Sequence, residues 1–280
     1  MREAEPRPRP PSKHKPRGQT PVVLLVKYCP GSDPGANVAI VRYQFVDCRW
    51  ELGAPQRGRE LYLAGHVPGA SFLDVDEDLS DLSVTGQGRH PLPSVERFAT
   101  AAGRAGIGDG VFVVAYGSLG GAERLWWLLR HFGHEGCAVL TGGLDVWGGP
   151  VREGAEEIEP AEFVPRLRFG DTISADELAG RLGDPALVLA DARTANRWRG
   201  EPNLVDTVPG RIPGARNAPW AEPLPELPEG ELVAYCGSGV TACVVLHRAH
   251  LRGREGRLYP GSWSDWSARG LPVERGLARN

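Results

Sequence analysis

The feature that most constrains this chain is an internal repeat. Val113–Gly117 (VVAYG) resembles Leu232–Cys236 (LVAYC), and a Gly- and Trp-containing segment follows at the same distance in each copy. Earlier in each copy, Gly65–Ala70 (GHVPGA) resembles Gly210–Ala215 (GRIPGA). A unit that occurs twice in 280 residues predicts two domains of one fold, placed in tandem.

Each copy alternates short strands with helices. Val111–Tyr116 and Leu232–Tyr235 are short apolar runs, typical of buried parallel strands, and the apolar helical segments Ala122–Phe132 and Val240–Leu251 follow them. Ser174 opens a capping box, which predicts a helix over residues 175–182. This alternation predicts an α/β fold in which each domain is a mainly parallel sheet flanked by helices.

Four segments are expected along the chain. Residues 1–20 hold six Lys or Arg and almost no apolar residues, so we expect a disordered basic tail. Residues 21–150 contain the first copy and residues 172–280 the second. Residues 151–171 are rich in Glu and Pro, and we expect them to form the linker between the two copies.

Composition and charge exclude several classes of function. The net charge of −3 gives no case for a nucleic-acid partner, and no apolar run approaches the ~20 residues of a membrane span. The five Cys include no CxxC pair, so neither a zinc or other metal site nor a secreted disulfide framework is expected. We therefore expect a cytoplasmic protein without a membrane partner.

One cysteine stands where α/β proteins bind their ligands. Cys236 comes at the carboxyl end of a predicted parallel strand, and a helix follows it. Gly237 and Gly239 let the backbone curl so that successive N–H groups point inward, and the helix adds its positive end. Both effects favour thiolate over thiol, and Ser238 and Thr241 can donate hydroxyl hydrogen bonds to the same anion. The alternative is a buried structural cysteine beside a tight turn.

The segment Cys236–Ala242 (CGSGVTA) resembles the active-site loop of the two-domain rhodanese-like sulfurtransferases. The resemblance extends from about Phe45 to Val273 and includes the Gly142–Trp147 turn. It implies two tandem rhodanese-like domains and no cofactor. Only the second domain is expected to be catalytic, because Gly117 stands in the first copy where Cys236 stands in the second.

The resemblance also implies a reaction. Cys236 takes sulfane sulfur from a small-molecule donor as a persulfide, then passes it to cyanide or to a thiol acceptor such as thioredoxin or a small dithiol. The uncharged Gly237 and Ser238 resemble the loops of 3-mercaptopyruvate sulfurtransferases, whereas thiosulfate-preferring members tend to carry basic residues there. Two alternatives stay open: a thiosulfate:cyanide sulfurtransferase, and a sulfur-carrier or regulatory module without turnover. A Cys-based phosphatase is disfavoured because Ala242 replaces the arginine it needs.

The family's site residues carry over to positions in both copies. Arg197 matches a substrate-binding arginine whose planar fork suits a carboxylate, whereas a second family arginine is replaced here by Asn203. His66 matches a histidine expected to act with Ser238 in proton transfer, with Glu60 as a nearby acidic candidate. The expected catalytic residues are Cys236, Ser238 and His66, and the expected substrate-binding residues are Arg197, Gly237, Gly239, Val240 and Thr241.

Overall fold

The chain forms two four-stranded parallel sheets. A computed structural model of the protein describes residues 42–276. The strands are arranged β2-β1-β3-β4 in the first sheet and β6-β5-β7-β8 in the second, and every pairing between neighbouring strands is parallel. The predicted fold class, two α/β domains of one topology, is confirmed. The expected basic tail at residues 1–20 lies outside the described residues, and so do residues 21–41.

From residue 42 onward, the first unit contains four strands and three helices. Its strands are β1 (Arg42–Cys48), β2 (Ser71–Phe72), β3 (Val111–Gly117) and β4 (Cys137–Val139). Its helices are α1 (Arg57–Ala64), α2 (Val95–Arg104) and α3 (Gly121–His131), and a 3₁₀ turn covers Gly143–Val146.

The second unit repeats the topology of the first. Its strands are β5 (Leu187–Asp191), β6 (Arg216–Asn217), β7 (Glu231–Tyr235) and β8 (Gly256–Leu258). Its helices are α4 (Ala175–Gly180), α5 (Ala195–Arg199), α6 (Ala242–His250) and α7 (Ser262–Ala268). Ser174 caps α4 as the capping box predicts, because its Oγ accepts a hydrogen bond from the Glu177 N–H at 3.1 Å.

The first unit contains a long irregular segment that the second lacks. Between β2 and β3, residues 73–110 include one helix, α2, and otherwise turns and irregular chain. Between β6 and β7 the second unit has only residues 218–230, with no helix or strand. The extra segment is long enough to reach the second unit, where the Arg89 N–H donates to Ser264 Oγ at 3.0 Å.

The two units pack against each other through α3 and α6. Apolar residues from both units form one continuous buried cluster that includes Trp126 and Val245. The rings of Trp126 and His247 pack edge to face, with their centroids 4.8 Å apart. This interface places the irregular segment of the first unit beside the carboxyl end of β7.

Candidate active site

Strand β7 presents Cys236 at its carboxyl end. The strand lies in the middle of the second sheet, between β5 and β8, and Tyr235 is its last residue. The Cys236 N–H donates to Ser262 Oγ at 3.1 Å, and that hydroxyl in turn donates to the Tyr259 carbonyl at 3.0 Å. Cys236 is 2% exposed, and the hydrogen bond from its N–H holds its backbone in place at the start of the loop.

The loop after Cys236 curls around the sulfur. The N–H groups of Gly239 and Ser238 point at Cys236 Sγ, with N···S distances of 3.1 and 3.5 Å. Gly239 needs its lack of a side chain, because its φ is +86° and a Cβ there would lie 2.5 Å from the Pro260 carbonyl oxygen. Two backbone donors aimed at one sulfur stabilise negative charge on it.

Val240 and Thr241 complete the loop and lead into α6. Val240 is buried, and α6 begins at Ala242, so the amino end of this helix follows the loop. The hydroxyl of Thr241 makes no capping hydrogen bond with that helix end. The expected contribution of Thr241 to anion binding remains a prediction.

The hydroxyl of Ser238 meets a histidine of the first unit. His90 Nδ1 lies 2.7 Å from Ser238 Oγ, and His90 Nε2 lies 2.9 Å from Asp76 Oδ1. Because a carboxylate only accepts, Nε2–H donates to Asp76, which leaves Nδ1 as the acceptor for the Ser238 hydroxyl. His90 is buried, and the three side chains form a chain of hydrogen bonds across the domain interface.

The expected contact between His66 and Ser238 is wrong. His66 Nδ1 binds the Tyr62 carbonyl at 2.8 Å, and its Nε2 lies 3.3 Å from Glu156. Its ring stacks on Tyr62 with the centroids 4.2 Å apart. Glu60, the nearby acidic candidate, pairs with Arg57 instead.

His66 has a structural counterpart in the second unit. Arg211 occupies the equivalent turn, is buried like His66, and pairs with Glu274. Glu156 accepts from the Gly69 N–H and Glu274 from the Gly214 N–H, both at 2.8 Å. In both copies, the turn therefore contains a buried side chain paired with a glutamate further along the chain. This structural role explains why a histidine lies at position 66 and requires no catalytic role for it.

Arg197 lies at the loop, and its role in substrate binding remains a prediction. Its guanidinium makes two hydrogen bonds to Asp206, of 2.7 and 2.6 Å. Its Nη2 lies 2.8 Å from the position that a Cβ on Gly237 would take, so a side chain at Gly237 would collide with it. Burial raises the pKa of Asp206, but hydrogen bonding and charge from Arg197 outweigh burial and leave that pKa lowered. Asp206 is therefore the anion that holds the Arg197 guanidinium in place.

A second arginine at the loop comes from the first unit. Arg89 Nη2 lies 2.7 Å from the same Cβ position on Gly237, and Arg89 Nη1 donates to the Val205 carbonyl at 3.0 Å. Asn203, which replaces the second family arginine, is hydrogen-bonded within its own segment: its Oδ1 accepts from the N–H groups of Val205 and Asp206. The signal for Arg89 and His90 is the extra length of the first copy between its Pro-Gly turn and its Tyr-containing strand.

No group of three or more His, Cys, Asp or Glu side chains within residues 42–276 has the geometry of a metal site. None of the helices between these residues has both the length and the apolar character that a membrane crossing requires.

Comparison with known proteins decides the family. The model of the rhodanese-like domain matches this chain twice, over residues 35–149 and 174–269. The chain belongs to the rhodanese family. The second match contains Cys236 and its loop, and the first contains Asp76, Arg89 and His90. In this chain the candidate site is therefore assembled from both domains.

Named relatives are similar over most of the chain. SseB of Mycobacterium tuberculosis, provisionally named a thiosulfate sulfurtransferase, is 36% identical over 263 residues, which cover 83% of this chain and 91% of SseB. Human 3-mercaptopyruvate sulfurtransferase is 36% identical over 263 residues, covering 82% of this chain and 87% of the human one. The crystal structure of SseA from Escherichia coli, a 3-mercaptopyruvate sulfurtransferase, superposes with a TM-score of 0.68 at 32% identity and covers 79% of this chain and 93% of SseA.

Proposed function

We propose that this protein transfers sulfur from 3-mercaptopyruvate to a thiol acceptor or cyanide through a persulfide on Cys236. The observation that carries the proposal is the convergence of the Ser238 and Gly239 N–H groups on Cys236 Sγ. Such donors favour a thiolate nucleophile and then the persulfide anion that replaces it. The relatives named 3-mercaptopyruvate sulfurtransferase support this choice of donor.

In the first half-reaction, the Cys236 thiolate attacks the sulfur of the donor. An S–S bond forms while the donor's C–S bond breaks, and the electron pair of that bond passes to the carbon of pyruvate as its enolate. The proton that the donor sulfur carried must reach this carbon. The Ser238 hydroxyl lies next to the reacting cysteine and is hydrogen-bonded to His90, which in turn binds Asp76. We propose that this hydroxyl transfers the proton. Pyruvate leaves, and Cys236 carries the persulfide.

In the second half-reaction, an acceptor thiolate or cyanide attacks the outer sulfur. The S–S bond breaks and its electron pair returns to Cys236 Sγ, which the same two N–H groups stabilise. Thioredoxin or a small dithiol can then release the transferred sulfur as sulfide by closing its own disulfide. A reducing cytoplasm is the setting that keeps such an acceptor available.

Thiosulfate is the second candidate donor, and one observation favours it. Arg89 and Arg197 both reach Gly237, so the uncharged loop gains two cations from elsewhere in the fold. Two cations suit a dianion, and the SseB relative is named for thiosulfate. A carrier module without turnover would use the same cysteine but would release no pyruvate.

Initial rates with both donors test the proposal. We expect a larger kcat/KM for 3-mercaptopyruvate than for thiosulfate with cyanide as the acceptor, together with pyruvate release and a mass gain of one sulfur atom on Cys236. Cys236→Ser is expected to abolish transfer. Cys137→Ser is the matched control, because Cys137 lies in β4 of the first unit. A thiosulfate preference would overturn the donor assignment, and turnover by Cys236→Ser would overturn the site.

A further inference from the structure

A serine beside the nucleophile has a backbone conformation that glycine normally adopts. Ser262, the first residue of α7, is fully buried and has a φ of +54°. Leu119 is the one other non-glycine residue with a positive φ among residues 42–276. A side chain makes this left-handed region unfavourable, so glycine would fit the backbone at this position better. Strain at a buried position beside a nucleophile points to a function that requires the side chain.

The first unit has glycine at the equivalent position. The spacing from Gly117 to Gly143 equals that from Cys236 to Ser262, and the φ of Gly143 is +59°. A Cβ on Gly143 would lie 3.2 Å from the carbonyl oxygen of Gly117 and 4.0 Å from its nitrogen. In both units this position therefore lies against the residue that follows the central strand. Only the unit with a nucleophile has a side chain there.

The hydroxyl of Ser262 binds the backbone of Cys236. Its Oγ accepts from the Cys236 N–H at 3.1 Å and donates to the Tyr259 carbonyl at 3.0 Å, so the hydroxyl is used both as acceptor and as donor. Because Cys236 is buried, loss of this hydroxyl would take the acceptor away from a buried N–H group. Glycine at position 262 would relieve the backbone strain but could not make this contact.

The two residues after Ser262 hold the next carbonyl groups of the loop. The Trp263 N–H donates to the Cys236 carbonyl at 3.0 Å, and the Ser264 N–H donates to the Gly237 carbonyl at 3.1 Å. Three consecutive residues therefore fix the peptide groups on both sides of the Cys236 Cα, and these groups determine where its side chain points. Trp263 and Ser264 use backbone donors that almost any residue supplies, whereas Ser262 uses its side chain.

We propose that Ser262 is a positioning residue for the nucleophile. Its hydroxyl fixes the Cys236 amide, so that Cys236 Sγ stays aligned with the N–H groups of Ser238 and Gly239. The strained φ is tolerated because the residue type that would relieve it has no hydroxyl. This inference rests on the proposed function in that it takes Cys236 to be the nucleophile. It applies equally to 3-mercaptopyruvate and to thiosulfate as the donor.

Two substitutions separate the hydroxyl from the strain. Ser262→Ala removes the hydroxyl and keeps the Cβ, whereas Ser262→Gly removes both. We expect each variant to lower kcat about tenfold or more with little change in KM, because the alignment of the sulfur is lost while the donor's contacts remain. Ser262→Gly should have the higher melting temperature of the two, because glycine adopts the left-handed φ without strain. Wild-type kcat in either folded variant would overturn the proposal.

Alkylation of Cys236 gives a second readout, which a purely structural role of Ser262 would not change. Iodoacetamide is uncharged and reacts with the thiolate by displacing iodide, and mass spectrometry of the Cys236 peptide follows the rate. At pH ~7 we expect both Ser262 variants to react about tenfold more slowly than wild type, because the two backbone N–H groups no longer stabilise the thiolate fully. At pH ~10 a cysteine ionises without such help, so the rates should converge. Equal rates at pH ~7 would contradict the proposal.

Gly143→Ser is the matched control, because it places the same residue at the same left-handed position of the unit without a nucleophile. We expect it to lower the melting temperature and to leave kcat and the alkylation of Cys236 unchanged. An equal loss of kcat in Gly143→Ser would show that strain, and not the contact with Cys236, determines activity, and would overturn the proposal.

The outcomes also separate this inference from the proposed function. If wild type transfers sulfur through Cys236 and the Ser262 variants match it in kcat and alkylation, the role of Ser262 is wrong and the proposed function stands. If wild type forms no persulfide on Cys236 with either donor, the proposed function is wrong. Slower alkylation in the Ser262 variants would then still show that Ser262 positions this cysteine.

Discussion

At the residue scale, the site depends on which histidine meets Ser238. His90 makes that contact and binds Asp76 with its other nitrogen, whereas His66 binds Tyr62 and Glu156. Both histidines are buried and both lie beside a carboxylate, so burial and charge alone do not separate them. Only His90 is connected to the loop that holds the cysteine.

Replacing each histidine by glutamine separates chemistry from folding. We expect His90→Gln to lower kcat by about 100-fold, because the proton path through Ser238 loses its base. His66→Gln should keep kcat and lower the melting temperature, because the buried contact to Glu156 weakens. Initial rates and thermal unfolding of the matched pair check both expectations. Equal loss of kcat in the two variants would contradict the assignment of His90.

The sequence predicted the nucleophile but not its partners, and the reason is physical. Cys236 stands at a strand end before two glycines, a local pattern that a single segment displays. Arg89 and His90 lie in irregular chain that has no counterpart in the second copy, so periodicity does not mark them, and the repeat reveals only the extra length in which they lie. The repeated turn drew attention to His66 instead, although Arg211 fills the same place opposite Glu274.

At the element scale, hydrophobic periodicity predicted the central strands and helices. Strands β3 and β7 lie where expected, and so does α3. Helix α6 begins at Ala242, two residues later than predicted, because Val240 and Thr241 belong to the loop that surrounds the cysteine. The loop conformation that directs the Ser238 and Gly239 N–H groups at the sulfur precedes this boundary, and hydrophobic periodicity carries no information about it.

The packing of α6 on α3 gives the protein a sensitivity to acid. Desolvation at this interface lowers the pKa of His247 to about 4, and His250 and Arg248 act in the same direction. An unfolded histidine has a pKa of about 6.5, so the unfolded state takes up the proton first as pH falls. The contribution of a neutral His247 to stability is thus present above pH ~6.5 and is lost between there and about pH 4.

His247→Gln should remove this part of the pH dependence. Between pH ~7 and ~4, we expect the free energy of unfolding to fall further in wild type than in the variant. The expected difference between the two decreases is about 3 kcal/mol. Urea unfolding at several pH values measures it, and the difference between the two proteins at neutral pH gives the packing loss separately. Parallel curves for wild type and variant would contradict the assignment.

At the scale of the whole molecule, both rhodanese-like domains contribute residues to the candidate site. The second domain supplies Cys236 and its loop, and the first supplies His90 and Arg89. Arg124 joins the parts: it is fully buried in α3 and donates to the carbonyls of His90 and Gly239 at 3.2 Å each. One side chain therefore holds both the histidine segment and the loop that bears the N–H donors.

Arg124 has no carboxylate partner among residues 42–276, and burial lowers its pKa. Its stabilising role is therefore to satisfy three carbonyl groups, the third being that of Leu79 at 3.3 Å. Arg124→Met keeps most of the volume but leaves these carbonyls without a donor. We expect the free energy of unfolding to fall by about 1–3 kcal/mol, the loss being limited because a buried charge is also removed.

The activity of Arg124→Met should fall more than its stability explains. Because His90 and Gly239 lose their common anchor, we expect kcat/KM to drop by at least about tenfold under conditions where the protein is fully folded. Arg97→Met is the matched control, since Arg97 also donates two hydrogen bonds to a carbonyl, that of Glu77, but on the surface of the first domain. Initial rates of both variants, measured at equal folded fraction, test whether Arg124 positions the site. Wild-type kcat/KM in Arg124→Met would show that the domains hold the site in place without this contact.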